Sequence, residues 1–248
     1  TRIESALPGI NCGACGSPSC LGYAERVASG KTPTNLCAPG GAEVAQSLAD
    51  IMGVAAEFQQ HRIAVVHCGA HDFQRTKKAV YFGIESCGAQ QALKLGDIAC
   101  SYGCLGKGDC FRACAFDAIE MKDGLPHIIP ENCTACGKCV EACPRDIISL
   151  EPYDDRIGLI TVACSSQDIG KVVRKICLVG CIACRLCVKT CIHDAFYMDG
   201  NVAKVDQEKA VHCDEWDTVI KKCPTNCIVQ IGGQEMVQEG KSEKEFAI

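Results

Sequence analysis

Hydrophobic positions along this chain follow three patterns. "GAEVAQSLADIMGVAAEF", residues 41–58, places Val44, Leu48, Ile51 and Ala55 on one face of a helix, and "YAERVASG", 23–30, reads as a shorter helix stopped by Gly30. "AIEMKDGLPHII" and "AFYMDGNVAKV" each set a D-G pair between short apolar segments, the signal of a two-stranded hairpin. "AVVHCGAHD" and "ITVACSSQD" are apolar, strand-like runs that reach Cys68 and Cys164. No apolar run approaches the roughly 18 residues of a membrane span. Elements this short enclose little aliphatic core.

The patterns also repeat. "CSYGCLGKGDCFRACAFDAIEM" aligns without a gap with "CLVGCIACRLCVKTCIHDAFYM", so that Cys100, Cys104, Cys110 and Cys114 recur as Cys177, Cys181, Cys187 and Cys191. Asp117 and Ala118 match Asp194 and Ala195. After a three-residue insertion the register pairs Cys133 with Cys213 and the "CP" at 143 with that at 223. The chain therefore carries a duplicated unit, and the first copy holds an extra stretch between Cys68 and Cys100 that contains Cys87.

Composition says what the small core is built around. The 248 residues include 23 cysteines, a density that in a short secreted chain would mean a disulfide scaffold. This chain is long, and it shows no charged, apolar, small-residue leader. A net charge of -5 with 5% aromatics lacks the basic stripe of a nucleic-acid binder.

Spacing decides between disulfides, zinc and iron-sulfur clusters. "CTACGKCVEACP" places Cys133, Cys136, Cys139 and Cys143 as C-x2-C-x2-C-x3-C followed by Pro144. Zinc sites pair two close ligands with a second pair across a longer loop. The single run resembles the bacterial ferredoxin signature, in which a tight turn reaches adjacent corners of one iron-sulfur cube and the fourth cysteine serves a neighbouring cluster. Gly137 eases the backbone around that turn. Near the N-terminus, "NCGACGSPSC" and "LCAPGG" supply Cys12, Cys15, Cys20 and Cys37, as C-x2-C-x4-C-x16-C, enough to close one cube alone. The expected fold is α+β: a small helical 4Fe-4S domain at 1–58, two tandem bacterial-ferredoxin-like units at 59–153 and 154–232, and a tail at 233–248.

"ALPGINCGACGSPSC" with "CAPGG", the ferredoxin repeats and "GIESC" ahead of "ACSYGCLGKGDC" together resemble the B subunits of the Rnf complex, over about residues 5–230. That is a membrane-bound ferredoxin:NAD oxidoreductase coupling electron transfer to Na+ or H+ pumping. The resemblance implies an electron-transfer subunit. Reduced ferredoxin delivers electrons to the ferredoxin-like units, the N-terminal cluster passes them to membrane-embedded Rnf subunits, and NAD is reduced elsewhere. It also implies a place on the cytoplasmic side of the bacterial cell membrane, anchored by an N-terminal transmembrane helix that is not present in this chain.

Ligands follow by ferredoxin logic. Cys133, Cys136 and Cys139 take Cys114 for one cluster of unit one; its partner takes Cys104, Cys110 and Cys143. There the expected middle ligand is Lys107, so Cys100 or Cys87 substitutes, and the sequence leaves both open. Unit two has Cys181, Cys184 and Cys187 with Cys223 as remote ligand. Its second site has Trp216 and Val219 where unit one has Cys136 and Cys139, and Trp216 is expected buried near Cys213 against the hairpin. Four 4Fe-4S clusters are expected and five is the ceiling; a fifth would draw on Cys164, Cys177, Cys191, Cys213 and Cys227.

Other features are weaker. "GCLGKG" sits among cluster ligands and makes no Rossmann turn, so no direct NAD or flavin binding is expected. Each histidine, His67, His127 and His193 included, stands singly and reads as structural. Lys171, Arg174 and Lys175 share a helix as a solvated face or as a docking patch for an acidic ferredoxin. Cubes held by four thiolates leave no iron open to substrate, so no catalytic residue is expected. The rival readings are an enzyme with an open iron at the Lys107 or Trp216 gap, and a polyferredoxin subunit of a soluble hydrogenase or electron-bifurcating complex.

Overall fold

The computed structural model describes residues 2–58, 60–93, 96–154, 156–213 and 216–233. The expected tail beyond Gly233 lies outside them. Both D-G pairs make the hairpins they predict. β2 (Ile119–Lys122) pairs antiparallel with β3 (Leu125–Ile128) around Asp123 and Gly124, at φ 46° and 72°, the left-handed pair that suits the strand twist. β6 (Phe196–Asp199) pairs with β7 (Val202–Val205) across Gly200 and Asn201; here Asp199 closes the strand opposite Val202, and of the two turn residues only Gly200, at φ 60°, is left-handed.

The two apolar runs become β1 (Arg62–Val66) and β5 (Leu159–Val162). Their partners are β4 (Ile148–Pro152) and β8 (Ile228–Ile231), which close each half: Val66 opposes Ile148, and Val162 opposes Ile228. Each half thus runs strand, short helices, hairpin, short helix or helices, strand, with outer strands joined antiparallel. Four sheets of two strands each are marginal alone. Their inner faces pack on cysteines: Ala64, Ile119, Leu125 and Ile148 enclose Cys104, Cys110 and Cys139, while Ile160, Phe196, Val202 and Ile228 enclose Cys181, Cys187 and Cys191.

One turn recurs ahead of β2, β4, β6 and β8. Asp117, Asp146, Asp194 and Asn226 stand three residues after Cys114, Cys143, Cys191 and Cys223, all with φ 51°. Asp and Asn tolerate the left-handed region better than other side chains with a Cβ. The turn sends the chain from a cysteine straight into a strand.

The N-terminal residues form the two predicted helices, Cys20–Ala28 and Gly41–Met52. Ser19 caps the first through Gly22 N–H at 3.1 Å, and Gly30 follows its end at φ 69°. The second is shorter than its apolar pattern. Gly53, left-handed at φ 67°, ends it, so Ala55 lies beyond the helix while Leu48 is fully buried and Val44 and Ile51 pack beside it.

Candidate metal centres

The N-terminal thiols converge. Cys12, Cys15, Cys20 and Cys37 line a cavity of about 320 Å³ with Leu7 and Tyr23. Asn11, left-handed at φ 53°, accepts the Cys20 N–H at 2.8 Å and so ties the start of the loop to the helix that carries the third thiol. Buried Tyr23 accepts Leu36 N–H at 3.1 Å and donates to Pro33 O at 2.9 Å, which fixes the segment leading to Cys37.

In the first half, Cys114, Cys133, Cys136 and Cys139 line a second cavity of about 330 Å³, sealed by Ile119, Ile128 and Leu150. Ala135 at φ 54° and Gly137 at φ 80° wind the chain around it, and Ala64 N–H bonds Cys133 Sγ at 3.3 Å. The adjoining cavity, about 380 Å³, is lined by Cys87, Cys104, Cys110 and Cys143. Of the two candidates to replace Lys107, Cys87 stands here and Cys100 does not; Cys100 faces the junction between the halves.

The ligand turn itself survives the loss of its thiol. Gly106 and Gly108, both at φ 73°, hold the conformation that Ala183 and Arg185 hold at φ 55° and 62° in the second half. Lys107, where Cys184 stands in the repeat, turns away to pair with Glu85 at 3.1 Å over the Tyr81 ring. Asp109 supplies the replacement's anchor: one carboxylate oxygen accepts Ser86 O–H and Gly88 N–H, both at 2.9 Å, and holds the helix Cys87–Ala92 by its first turn. Cys87→Ser is therefore expected to lower iron content by one to four atoms and to leave a damaged cluster signal in Mössbauer spectra. An unchanged spectrum would assign the fourth ligand to another residue.

In the second half, Cys181, Cys184, Cys187 and Cys223 line a cavity of about 350 Å³ together with Cys227. Cys227 Sγ lies 3.5 Å from Cys223 Sγ. Hydrogen bonding with Cys227 lowers Cys223 to about 5 and Cys181 to about 6, while the pKa of Cys227 itself rises. At the degenerate site Val219 is fully buried among Cys191, Cys213 and Phe196, and Trp216 is half-buried, edge-on to Phe196 at 6.1 Å. Val219, more than Trp216, fills the position.

The donor sets fit iron-sulfur cubes. Among the described residues no three His, Cys, Asp or Glu side chains close on a single-ion point. The thiols instead stand at the corners of cavities, as ligands to separate irons must. Burial pushes Cys104 and Cys139 up to about 12 and Cys110 and Cys187 to about 11, so these four bare thiols are neutral and a cationic core is what would hold them as thiolates.

Comparison with known proteins agrees with this chemistry. The putative Fe-S cluster family (FeS) matches residues 7–39, and the 4Fe-4S binding domain family (Fer4) matches 126–149. The B subunit of the proton-translocating ferredoxin:NAD(+) oxidoreductase complex of Clostridium ljungdahlii is 41% identical over 97% of this chain and 84% of its own length. The chain belongs to this family of B subunits. The B subunit of the ion-translocating oxidoreductase complex of Methanosarcina acetivorans is 34% identical over 91% of the chain and 84% of its own length. Its counterpart in the Na(+)-translocating ferredoxin:NAD(+) oxidoreductase complex of Acetobacterium woodii is 41% identical over 91% of the chain, which spans 66% of that relative. Among the described residues no helix is long and apolar enough to cross a membrane.

Proposed function

We propose that this chain is the electron-carrying B subunit of an Rnf-type ion-translocating ferredoxin:NAD oxidoreductase. It contains tandem ferredoxin-like units behind a helical N-terminal cluster domain. The observation that carries the reading is that seventeen cysteines surround four separate cavities, four at each of three and, with Cys227, five at the fourth. The ligands are Cys12, Cys15, Cys20 and Cys37; Cys114, Cys133, Cys136 and Cys139; Cys87, Cys104, Cys110 and Cys143; and Cys181, Cys184, Cys187 and Cys223. A 4Fe-4S cluster held by four thiolates supplies one-electron transfer at low potential. The protein's part is to hold the thiolates, seal them with Ile119, Ile128, Leu150 and Met198, and aim amides at sulfur.

Ferredoxin and the other Rnf subunits are the proposed partners, at the cytoplasmic face of the membrane. The test is anaerobic: the iron-loaded chain should be reduced stoichiometrically by reduced ferredoxin and should not bind NAD or flavin. Zinc in place of iron, or no reduction, would sink the reading.

For ferredoxin docking the proposed patch is Lys171, Arg174 and Lys175, carried on the helix Gly170–Ile176. Replacing the three by Glu is expected to slow reduction by an acidic ferredoxin roughly tenfold or more at low salt, with the difference fading as ionic strength rises. Stopped-flow rates that ignore both substitution and salt would remove the patch.

A further inference from the structure

A fifth group of four cysteines lies where the two halves meet. Cys68, Cys100, Cys164 and Cys177 line a cavity of about 420 Å³, larger than the other four. Two of these thiols come from each half, and they are repeat equivalents: Cys68 matches Cys164 at the end of the strand-like run, and Cys100 matches Cys177. The rest of the lining divides the same way. The turn at 67–70 faces that at 163–166, and the C-x-x-G stretch at 100–103 faces that at 177–180. Neither half owns a site of its own here; the duplication makes one between them.

Local geometry on the two sides is also matched. A Cβ on Gly103 would stand 3.5 Å from Cys100 Sγ, and one on Gly180 would stand 3.5 Å from Cys177 Sγ. Each glycine keeps side-chain atoms away from a thiol. Amides point at the sulfurs: Tyr102 and Gly103 at Cys100, Val179 and Gly180 at Cys177, and Ser166 at Cys164 Sγ at 3.5 Å. Such N–H groups stabilise thiolates bound to iron. Arg75, its side chain 3% exposed and paired with Asp72, lines the same cavity.

Hydrogen bonds clamp the halves on either side. Gly69 N–H reaches Ala163 O at 2.9 Å and Ser165 O–H reaches His67 O at 2.7 Å. Thr76 N–H reaches Ile176 O and Leu178 N–H reaches Gln74 O, both at 2.9 Å. The four thiols are thus positioned by a formed interface.

We propose that Cys68, Cys100, Cys164 and Cys177 bind a fifth 4Fe-4S cluster that bridges the two ferredoxin-like units. Four thiols release four protons on taking up a [4Fe-4S]2+ core, leaving a dianionic site beside the Arg75–Asp72 ion pair. One electron from a neighbouring reduced cluster takes the core to the 1+ state, and passing it on restores 2+. The site joins the clusters of unit one to the single cluster of unit two, which the degenerate site at Trp216 and Val219 otherwise leaves without a second cluster in its own unit. This inference rests on the chain carrying 4Fe-4S clusters at all, but its test counts iron and does not depend on electron transfer to any partner.

The anaerobically reconstituted protein should hold about 20 irons and 20 sulfides, and Cys100→Ser with Cys177→Ser about 16. The Mössbauer signal of the remaining clusters should be unchanged in shape. Cys191→Ala with Cys213→Ala, which removes the buried thiols of the degenerate site, should keep about 20. A wild-type count of about 16 overturns the proposal, whether or not the double variant folds. So does zinc at this site, a junction variant that keeps all its iron, or loss of about four irons from the Cys191 and Cys213 variant. The general reading fails separately, if the other four sites hold no clusters.

Discussion

Chelating iron from the anaerobically loaded protein is expected to abolish its cooperative thermal unfolding. Each half is held by two-stranded sheets of four or five residues and by short helices of at most seven, none of which is stable alone. Their buried surfaces are cysteines and a few Ile, Leu and Val around cavities of 330 to 380 Å³. Without a cube nothing links the turns that carry them: burial keeps Cys104 and Cys139 protonated to about 12, while Cys181 and Cys223, lowered by their contact with Cys227, stand as thiolates with no cation between them. Structural zinc contributes on the order of 10 kcal/mol to the smallest domains. A comparable contribution from several clusters exceeds the roughly 5 to 15 kcal/mol by which proteins are ordinarily stable. Circular dichroism of the chelated chain should show no sharp transition. A melt within a few degrees of the loaded protein would mean that the aliphatic core suffices and that the cysteines are merely packed.

Much of this architecture was legible because cysteine spacing and D-G turns are local signals. The runs at 12–37, 104–114, 133–143 and 181–187 each close on one or two cavities within a short stretch of chain, and the hairpins need only their own turns. What escaped the sequence is what depends on distance. β4 and β8 follow left-handed Asp146 and Asn226 and pair with strands some 70 to 90 residues earlier, a partnership no short window contains. Five-residue helices such as Lys138–Ala142 are too short to show a helical period. Cys87 reaches its cavity only because Asp109, 22 residues on, holds the helix it begins. Its sequence signal was indirect: a lysine in a ligand position and a spare cysteine in an inserted stretch. The grouping of Cys68 and Cys100 with Cys164 and Cys177 needed the contact between repeats, although the repeat register already marked them as equivalents.

Cys12→Ala is expected to remove about four irons and to break the path out of the subunit while leaving the path into it open. The substitution falls at the first thiol of the N-terminal turn, whose cavity is built from residues 7–39 and shares no cysteine with the two halves that follow. The two regions meet at Lys138, whose Nζ lies 3.9 Å from where a Cβ on Gly13 would stand, and which follows the turn carrying Cys136. Loss of the N-terminal cluster therefore leaves the thiols of the other sites in place. Single-turnover reduction of the purified variant by reduced ferredoxin should proceed at the wild-type rate, with amplitude lowered by one cluster. Steady-state NAD reduction by a complex assembled with the variant should fall to background. Wild-type turnover in that complex would take the N-terminal cluster off the route. A parallel loss of ferredoxin reduction in the isolated chain would make it the entrance and reverse the proposed direction.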